Sequence, residues 1–242
     1  MTYVLLHGGG STGRFWDRLI EHLDAPSLAI DLPGRADRPA DLATLSVDEE
    51  VESVVTDIKA AEIEEPIVIV AHSSGGLVVP GVVAALGGRV DRIVVNAALV
   101  PPDGGSGLDC MQPQHAAGLR DGVERARKSG DVITLPGPPD DAERFRRSYG
   151  GDPLDDDQLA YIVDPVRCVP DTVHHYFQPV HWSEAADVDV TYIVNEHDRP
   201  IPTELQDEMW ARLPRRPRVI RLDSGHIPAV TQPAEFARLL VT

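Results

Sequence analysis

Cysteine and lysine are nearly missing from this 242-residue chain. Its two cysteines, Cys110 and Cys168, fit neither a metal-ligand spacing nor a disulfide framework, so they read as free thiols of a reducing compartment. The only lysines are Lys59 and Lys128, which leaves arginine to carry nearly all the positive charge. Basic residues number 22 against 39 acidic ones, for a formal net charge of −17. That balance argues against nucleic acid as a partner, because its phosphates would be repelled. Long apolar runs are also lacking. None approaches the roughly eighteen residues of a membrane span, and the run Tyr3–Leu6 is too short, and lacks the basic leader, for a signal peptide. The expectation is a cytoplasmic protein with no membrane partner. At 42% hydrophobic and 25% charged residues the composition is ordinary, and a chain of this length buries a core without disulfide or metal staples.

What is present is an alternation. Tyr3–Leu6 is a short apolar strand that stops at His7-Gly8-Gly9-Gly10. Phe15, Trp16, Leu19, Ile20 and Leu23 recur at helical spacing, and residues 27–30 form a second strand ended by Asp31-Leu32-Pro33-Gly34. Val47, Val51, Val54, Val55 and Ile58 mark an amphipathic helix with Ser46 as its N-cap. Ile67-Val68-Ile69-Val70-Ala71 has no polar interruption, as in a strand covered on both faces of a parallel sheet. A buried helix over 77–86 and a strand over 92–98 follow. From 101 to 187 the texture changes to Pro, Gly and charge, with short helices predicted near 113–128, 141–148 and 155–163. The run Asp155-Asp156-Asp157 reads as a helix N-terminus that favours negative charge rather than a metal site. Strands over 190–194 and 219–222, with helices over 203–213 and 233–240, then restore the alternation. The predicted fold is a doubly wound, mostly parallel α/β sheet. Residues 1–100 and 188–242 form its core, and 101–187 form a helical cap insertion.

Three segments carry chemistry. Ala71-His72-Ser73-Ser74-Gly75-Gly76 lies between a buried strand and a buried helix. Small residues two before and two after Ser73 suit a sharp turn that presents its hydroxyl, and they single it out over Ser74. The Ser74 N–H and the Gly9 N–H of the glycine loop are candidate oxyanion donors. Asp198 follows one late strand and His226 the next, which gives the chain order Ser, Asp, His. A base must take the serine proton, and a carboxylate must fix the histidine tautomer. Glu196 and Asp223 compete with Asp198. Asp198 is favoured because it lies a few residues beyond its strand, in a Pro-bounded loop from which it can reach His226. His197 reads as a surface or supporting residue. Gly8, His72, Tyr176 and Trp182 are candidate substrate-binding residues. His174, His175 and His181 lack the companion Cys or carboxylate pattern of a zinc site, so no metal is expected.

Through HGGG, AHSSGG, the Asn195-Glu196-His197-Asp198 loop and Ser224-Gly225-His226, the chain resembles the α/β-hydrolase superfamily over nearly its whole length. It starts at the HG-bearing strand, as in the compact branch that holds plant methylesterases and hydroxynitrile lyases, and residues 224–233 are similar to the methylesterase ending. It departs from the usual pattern at Ala71 and in the degenerate segment 31–38. The lyases of that branch carry Thr after the first loop His and Lys after the catalytic His. Gly8 and Ile227 stand there, and Ile227 supplies no cation for a leaving cyanide. The resemblance therefore implies a serine hydrolase that cleaves a small-molecule carboxylic ester through an acyl-enzyme on Ser73, with no cofactor and with a homodimer allowed. The alternatives are a cofactor-free lyase or carbon–carbon hydrolase using the same triad, and a non-enzymatic ligand receptor on this fold.

Overall fold

A computed structural model describes every residue of the chain except Glu65 and Thr242. Among the described residues six parallel strands form one sheet. They are β1 (Thr2–Leu6), β2 (Ser27–Ala29), β3 (Ile67–His72), β4 (Val90–Asn96), β5 (Asp189–Asn195) and β6 (Arg218–Leu222), in the spatial order β2-β1-β3-β4-β5-β6. The register pairs Leu6 with Ala71 and His72 with Asn96, so the ends of β1, β3 and β4 lie side by side. From β1 the chain winds outward to β2 and then crosses back to β3. The crevice between β1 and β3 is thus the topological switch point, where ligands bind in open α/β sheets.

Period-two side-chain direction explains the two cores. Val4, Leu6, Ile67, Ile69, Ile93, Val95 and Tyr192 face one layer, while Tyr3, Leu5, Val68, Val70, Val94 and Ile193 face the other. Nearly uninterrupted apolar strands follow because both layers are covered. The region after β1 folds as a 3-10 turn (Gly13–Trp16) and the single turn α1 (Asp17–Ile20), shorter than the apolar spacing suggested. Helix α2 (Val47–Ala60) starts with a capping box, in which Ser46 and Glu49 satisfy each other's backbone N–H. Helix α3 (Val79–Leu86) packs on the first layer.

Between β4 and β5 the chain forms α4 (Pro113–Ser129), α5 (Ala142–Tyr149) and α6 (Asp156–Val163), each within a residue or two of the range predicted for it. Asp155 caps α6 through a box with Gln158. α7 (Thr203–Ala211), α8 (Pro228–Thr231) and α9 (Pro233–Leu240) complete the chain. No helix among the described residues is long and apolar enough to cross a membrane.

Candidate active site

Ser73 follows the last residue of β3 with φ of 52°, a left-handed conformation that a non-glycine residue adopts at a cost of about 1–3 kcal/mol. The packing around the turn holds it there. A Cβ on Gly75 would stand 2.7 Å from the His7 carbonyl oxygen, so only glycine lets the turn approach β1 this closely. Leu99 N–H donates to the Ser73 carbonyl at 2.9 Å. The chain continues as a 3-10 turn (Ser73–Leu77) before α3. Ser74 therefore sits in a first turn whose N–H groups have no intrahelical acceptor.

His226 follows β6, and its Nδ1 lies 2.7 Å from Asp198 Oδ2. The Asp198 side chain is fully buried, and its Oδ1 accepts the Ile201 N–H at 2.8 Å. This pairing assigns the ring proton to Nδ1 and leaves Nε2 as the basic nitrogen. Competing acids point elsewhere: Asp223 pairs with exposed His197 at 2.8 Å, and Glu196 is exposed. The His226 carbonyl accepts from His72 Nε2 at 2.8 Å and from Asn195 Nδ2 at 3.3 Å. Asn195 is itself bonded to Asn96 at 2.7 Å, which ties the loop to the ends of β4 and β5. Ser73 and His226 line one cavity of about 420 Å³. No hydrogen bond joins their side chains among the described residues. Such bonds are often long or misaligned until substrate is bound.

The glycine loop forms another wall of the cavity, and a Cβ on Gly8 would lie 2.8 Å from Ser73 Cβ. Gly10 N–H is engaged by Asp171 Oδ2 at 2.8 Å, whereas the Gly9 N–H has no acceptor among the described residues. Sequence patterns gave no sign of what lies behind this loop. Arg35, in the turn after β2, is buried between Glu50 (Nη1–Oε1 3.2 Å) and Asp171, to which its Nη2 is also bonded. His175 Nδ1 stands 3.2 Å from Glu50 Oε1. Burial opposes the charged form of His175, but the carboxylates of Glu50 and Asp171 outweigh it and raise its pKa. Burial likewise opposes ionised Asp171, yet Arg35 and His175 hold its pKa below the usual value. The network thus fixes a carboxylate that grips the loop carrying Gly9.

Tyr176 lines the cavity, with its hydroxyl 3.0 Å from where a Gly9 Cβ would stand. Burial, aided by nearby Asp171, raises its pKa and keeps it protonated. His72 also lines the cavity, stacked on Phe15 at 5.1 Å. Trp182 does not. It is buried in the first core layer on a 3-10 turn packed against α3, because a large aromatic gains more from full burial than from a cavity wall. The expectation that it binds substrate is corrected accordingly. His174, His175 and His181 are also absent from the wall, and no metal-binding group of His, Cys, Asp or Glu occurs among the described residues. Cys110 and Cys168 are unpaired and do line the cavity. Burial pushes Cys110 up to about 12 and raises Cys168, so neither is a thiolate at neutral pH.

Two buried imidazoles make stability pH-dependent. Burial, with Arg35 nearby, lowers His7 from 6.5 to about 4, and burial beside His226 lowers His72. Below pH 6.5 the unfolded chain takes up protons that the folded chain refuses, so stability falls as pH drops from about 6.5 to about 4. At about 1.4 kcal/mol per pH unit, the His7 contribution is on the order of 3 kcal/mol. The urea midpoint should therefore decline from pH 7 to 4.5, and decline less steeply in His7→Gln. Equal slopes would show that His7 is not held neutral.

A serine at a strained turn after the central strand, with a histidine–carboxylate pair at the same rim of a parallel sheet, defines the α/β-hydrolase class. The chain belongs to the alpha/beta hydrolase family, whose model matches residues 3–239. No curated protein matches the chain in sequence. Among solved structures it is similar to an extracellular alpha/beta-hydrolase from a Paenibacillus species, described as sharing structural and functional homology with tobacco salicylic acid binding protein 2. The TM-score is 0.83 at 22% identity, covering 100% of this chain and 98% of that one. A thermophilic esterase from Thermogutta terrifontis matches with TM-score 0.74 and 17% identity over 100% and 88% of the two chains. The Arabidopsis methylesterase protein MES16 matches with TM-score 0.72 and 19% identity over 100% and 97%. At these identities the likeness speaks for the fold.

Proposed function

We propose that the protein is a serine hydrolase that cleaves a neutral, largely apolar small-molecule carboxylic ester. The observation that carries this reading is the shared cavity. It presents Ser73 from a strained turn together with His226, whose Nδ1 is fixed by buried Asp198. His226 Nε2 takes the Ser73 proton as the hydroxyl attacks the ester carbonyl, and Asp198 stabilises the imidazolium. The Gly9 and Ser74 N–H groups receive the oxyanion. The imidazolium protonates the departing alcohol, and water then cleaves the acyl-enzyme by the same steps. Cys110 and Cys168 do not compete as nucleophiles, because their thiols stay protonated. Two unpaired thiols also fit a reducing compartment such as the cytoplasm.

Substrate polarity follows from the wall. Leu99, Met111, Leu135, Ile162, Ile201 and Ile227 contribute apolar surface. Arg167 is the only Lys, Arg, Asp or Glu lining the cavity among the described residues. Its guanidinium is shared between Asp17 and Asp164, at 3.0 Å each, and lies over the Tyr161 ring at 3.9 Å. A substrate carboxylate would find there no Lys and only an Arg already matched by two carboxylates, and would also face the net negative charge. Apolar Ile227 beside His226 disfavours lyase chemistry that releases an anion.

The test pairs p-nitrophenyl butyrate with the p-nitrophenyl ester of succinic acid, alongside labelling by a fluorophosphonate probe. Butyrate turnover, with the label on Ser73 and at least tenfold slower succinate turnover, is the expected outcome. Neither turnover nor labelling would point to a non-enzymatic receptor, and equal rates on both esters would refute the neutral pocket.

A further inference from the structure

The base and its acid sit on separate loops after β6 and β5, and neither loop is held by the sheet alone. Both are gripped by the short segment that ends α5. His226 N–H donates to the Tyr149 carbonyl at 3.0 Å. Gly150 forms an isolated antiparallel bridge with Asp198. Gly150 has φ of 80° and Gly151 of 74°. A Cβ on Gly150 would collide with the His197 carbonyl oxygen, and one on Gly151 would stand 2.7 Å from the Gly225 nitrogen. A Cβ on Gly225 would in turn collide with the Gly150 carbonyl. Here three stretches of bare backbone pack against one another, which side-chain contacts do not require and which only glycine permits. The loops are also joined directly, since His197 N–H donates to the Ser224 carbonyl at 2.9 Å.

We propose that residues 149–151 act as a backbone clamp that holds the Asp198 loop and the His226 loop in mutual register, making Gly150, Gly151 and Gly225 positioning residues for the hydrolytic row. The inference rests on the serine-hydrolase reading above. The clamp has a geometric rationale. Asp198 and His226 must meet within a few tenths of an ångström, and a misplacement of about 1 Å costs about 100-fold in rate. It also couples the segment between β4 and β5, which shapes the cavity, to the groups that do the chemistry. The Tyr149 ring stacks on Phe145 at 4.3 Å, so the clamp is anchored in the second core layer.

The experiment is Gly150→Ala in the full chain, with Gly118→Ala as the control. Gly118 lies in α4, and an added Cβ there meets nothing within 4 Å. The expected result for Gly150→Ala is a kcat on p-nitrophenyl butyrate lowered by about 100-fold or more, with KM within about threefold. The far-downfield proton resonance of the His226 Nδ1–H···Asp198 bond should also be lost, while the β3 amides keep their exchange protection. Gly118→Ala should leave all of these unchanged. Retention of both kcat and the downfield proton in Gly150→Ala would overturn the clamp. Where Gly150→Ala does not fold, amide exchange in the wild-type protein decides: a His226 N–H protected like the β3 amides supports the clamp, and one exchanging like the exposed amides of α4 overturns it. A wild-type protein that neither turns over the ester nor labels at Ser73 would instead overturn the hydrolase reading, and the clamp's catalytic role with it.

Discussion

Ser73→Ala is expected to lower kcat for ester hydrolysis by about 10⁴-fold or more while KM stays within a few-fold. The argument is one of electrons: without the hydroxyl there is no covalent intermediate, and the other polar groups facing the carbonyl are poor substitutes. Cys110 and Cys168 remain thiols, and Ser74 lacks the elbow geometry that projects Ser73. Asp198→Asn should cost about 10³- to 10⁴-fold, because an amide in that place no longer enforces the Nδ1–H tautomer or stabilises the imidazolium. The double variant should be little worse than Ser73→Ala alone, since groups acting as one unit lose their effect together. Initial rates on p-nitrophenyl butyrate, with active-site titration of each preparation, provide the check. A Ser73→Ala protein with a tenth of wild-type activity would rule out the acyl-enzyme.

Arg35→Met should be the most destabilising single change outside the apolar core. It would leave the carboxylates of Glu50 and Asp171 buried with one histidine to share, and an uncompensated buried charge costs about 3–5 kcal/mol. For a chain of this size that lowers Tm by on the order of 10 °C. Replacing Arg35, Glu50 and Asp171 together by Met, Gln and Asn should restore much of the loss, because no unpaired charge then remains. Urea titrations of the single and triple variants distinguish the cases. A single variant as stable as wild type would mean that the network contributes nothing net. Activity should fall in both variants. In the single one Asp171 loses its partner, and in the triple one a neutral amide replaces the carboxylate that holds Gly10 N–H.

Local pattern and chain order made much of this legible in sequence. An uninterrupted apolar strand ending in Ala-His-Ser-Ser-Gly-Gly constrains backbone geometry within six residues, and the structure has Ser73 at φ 52° there. Asp198 and His226 were singled out by their places after successive strands, and those strands are neighbours in the sheet, which brings the side chains to 2.7 Å. Short helices between β4 and β5 were legible only as interruptions of a segment rich in Pro, Gly and charge, with Asp155-Asp156-Asp157 marking the start of one. Arg35 and Asp171, by contrast, are 136 residues apart, and nothing local marks either as buried. Trp182 was misplaced for the related reason that aromatic character says how much a residue buries, not against which neighbour. Nothing in the local sequence sets Gly150 and Gly151 apart from the other glycines between 101 and 187. Their importance arises only from the backbone of another loop arriving beside them.

The neighbours β4 and β5 are joined by 92 residues of intervening chain, yet Val95 lies beside Tyr192. Closing so long a loop is an entropic cost that must be met before the pairing returns anything, so this junction is expected to be a slow step of folding. On the ribosome the first four strands emerge well before the last two. The nascent half-sheet would thus hold the Ser73 turn long before Asp198 and His226 are in place, and on the mechanism proposed above the protein would stay chemically silent until its final strand docks.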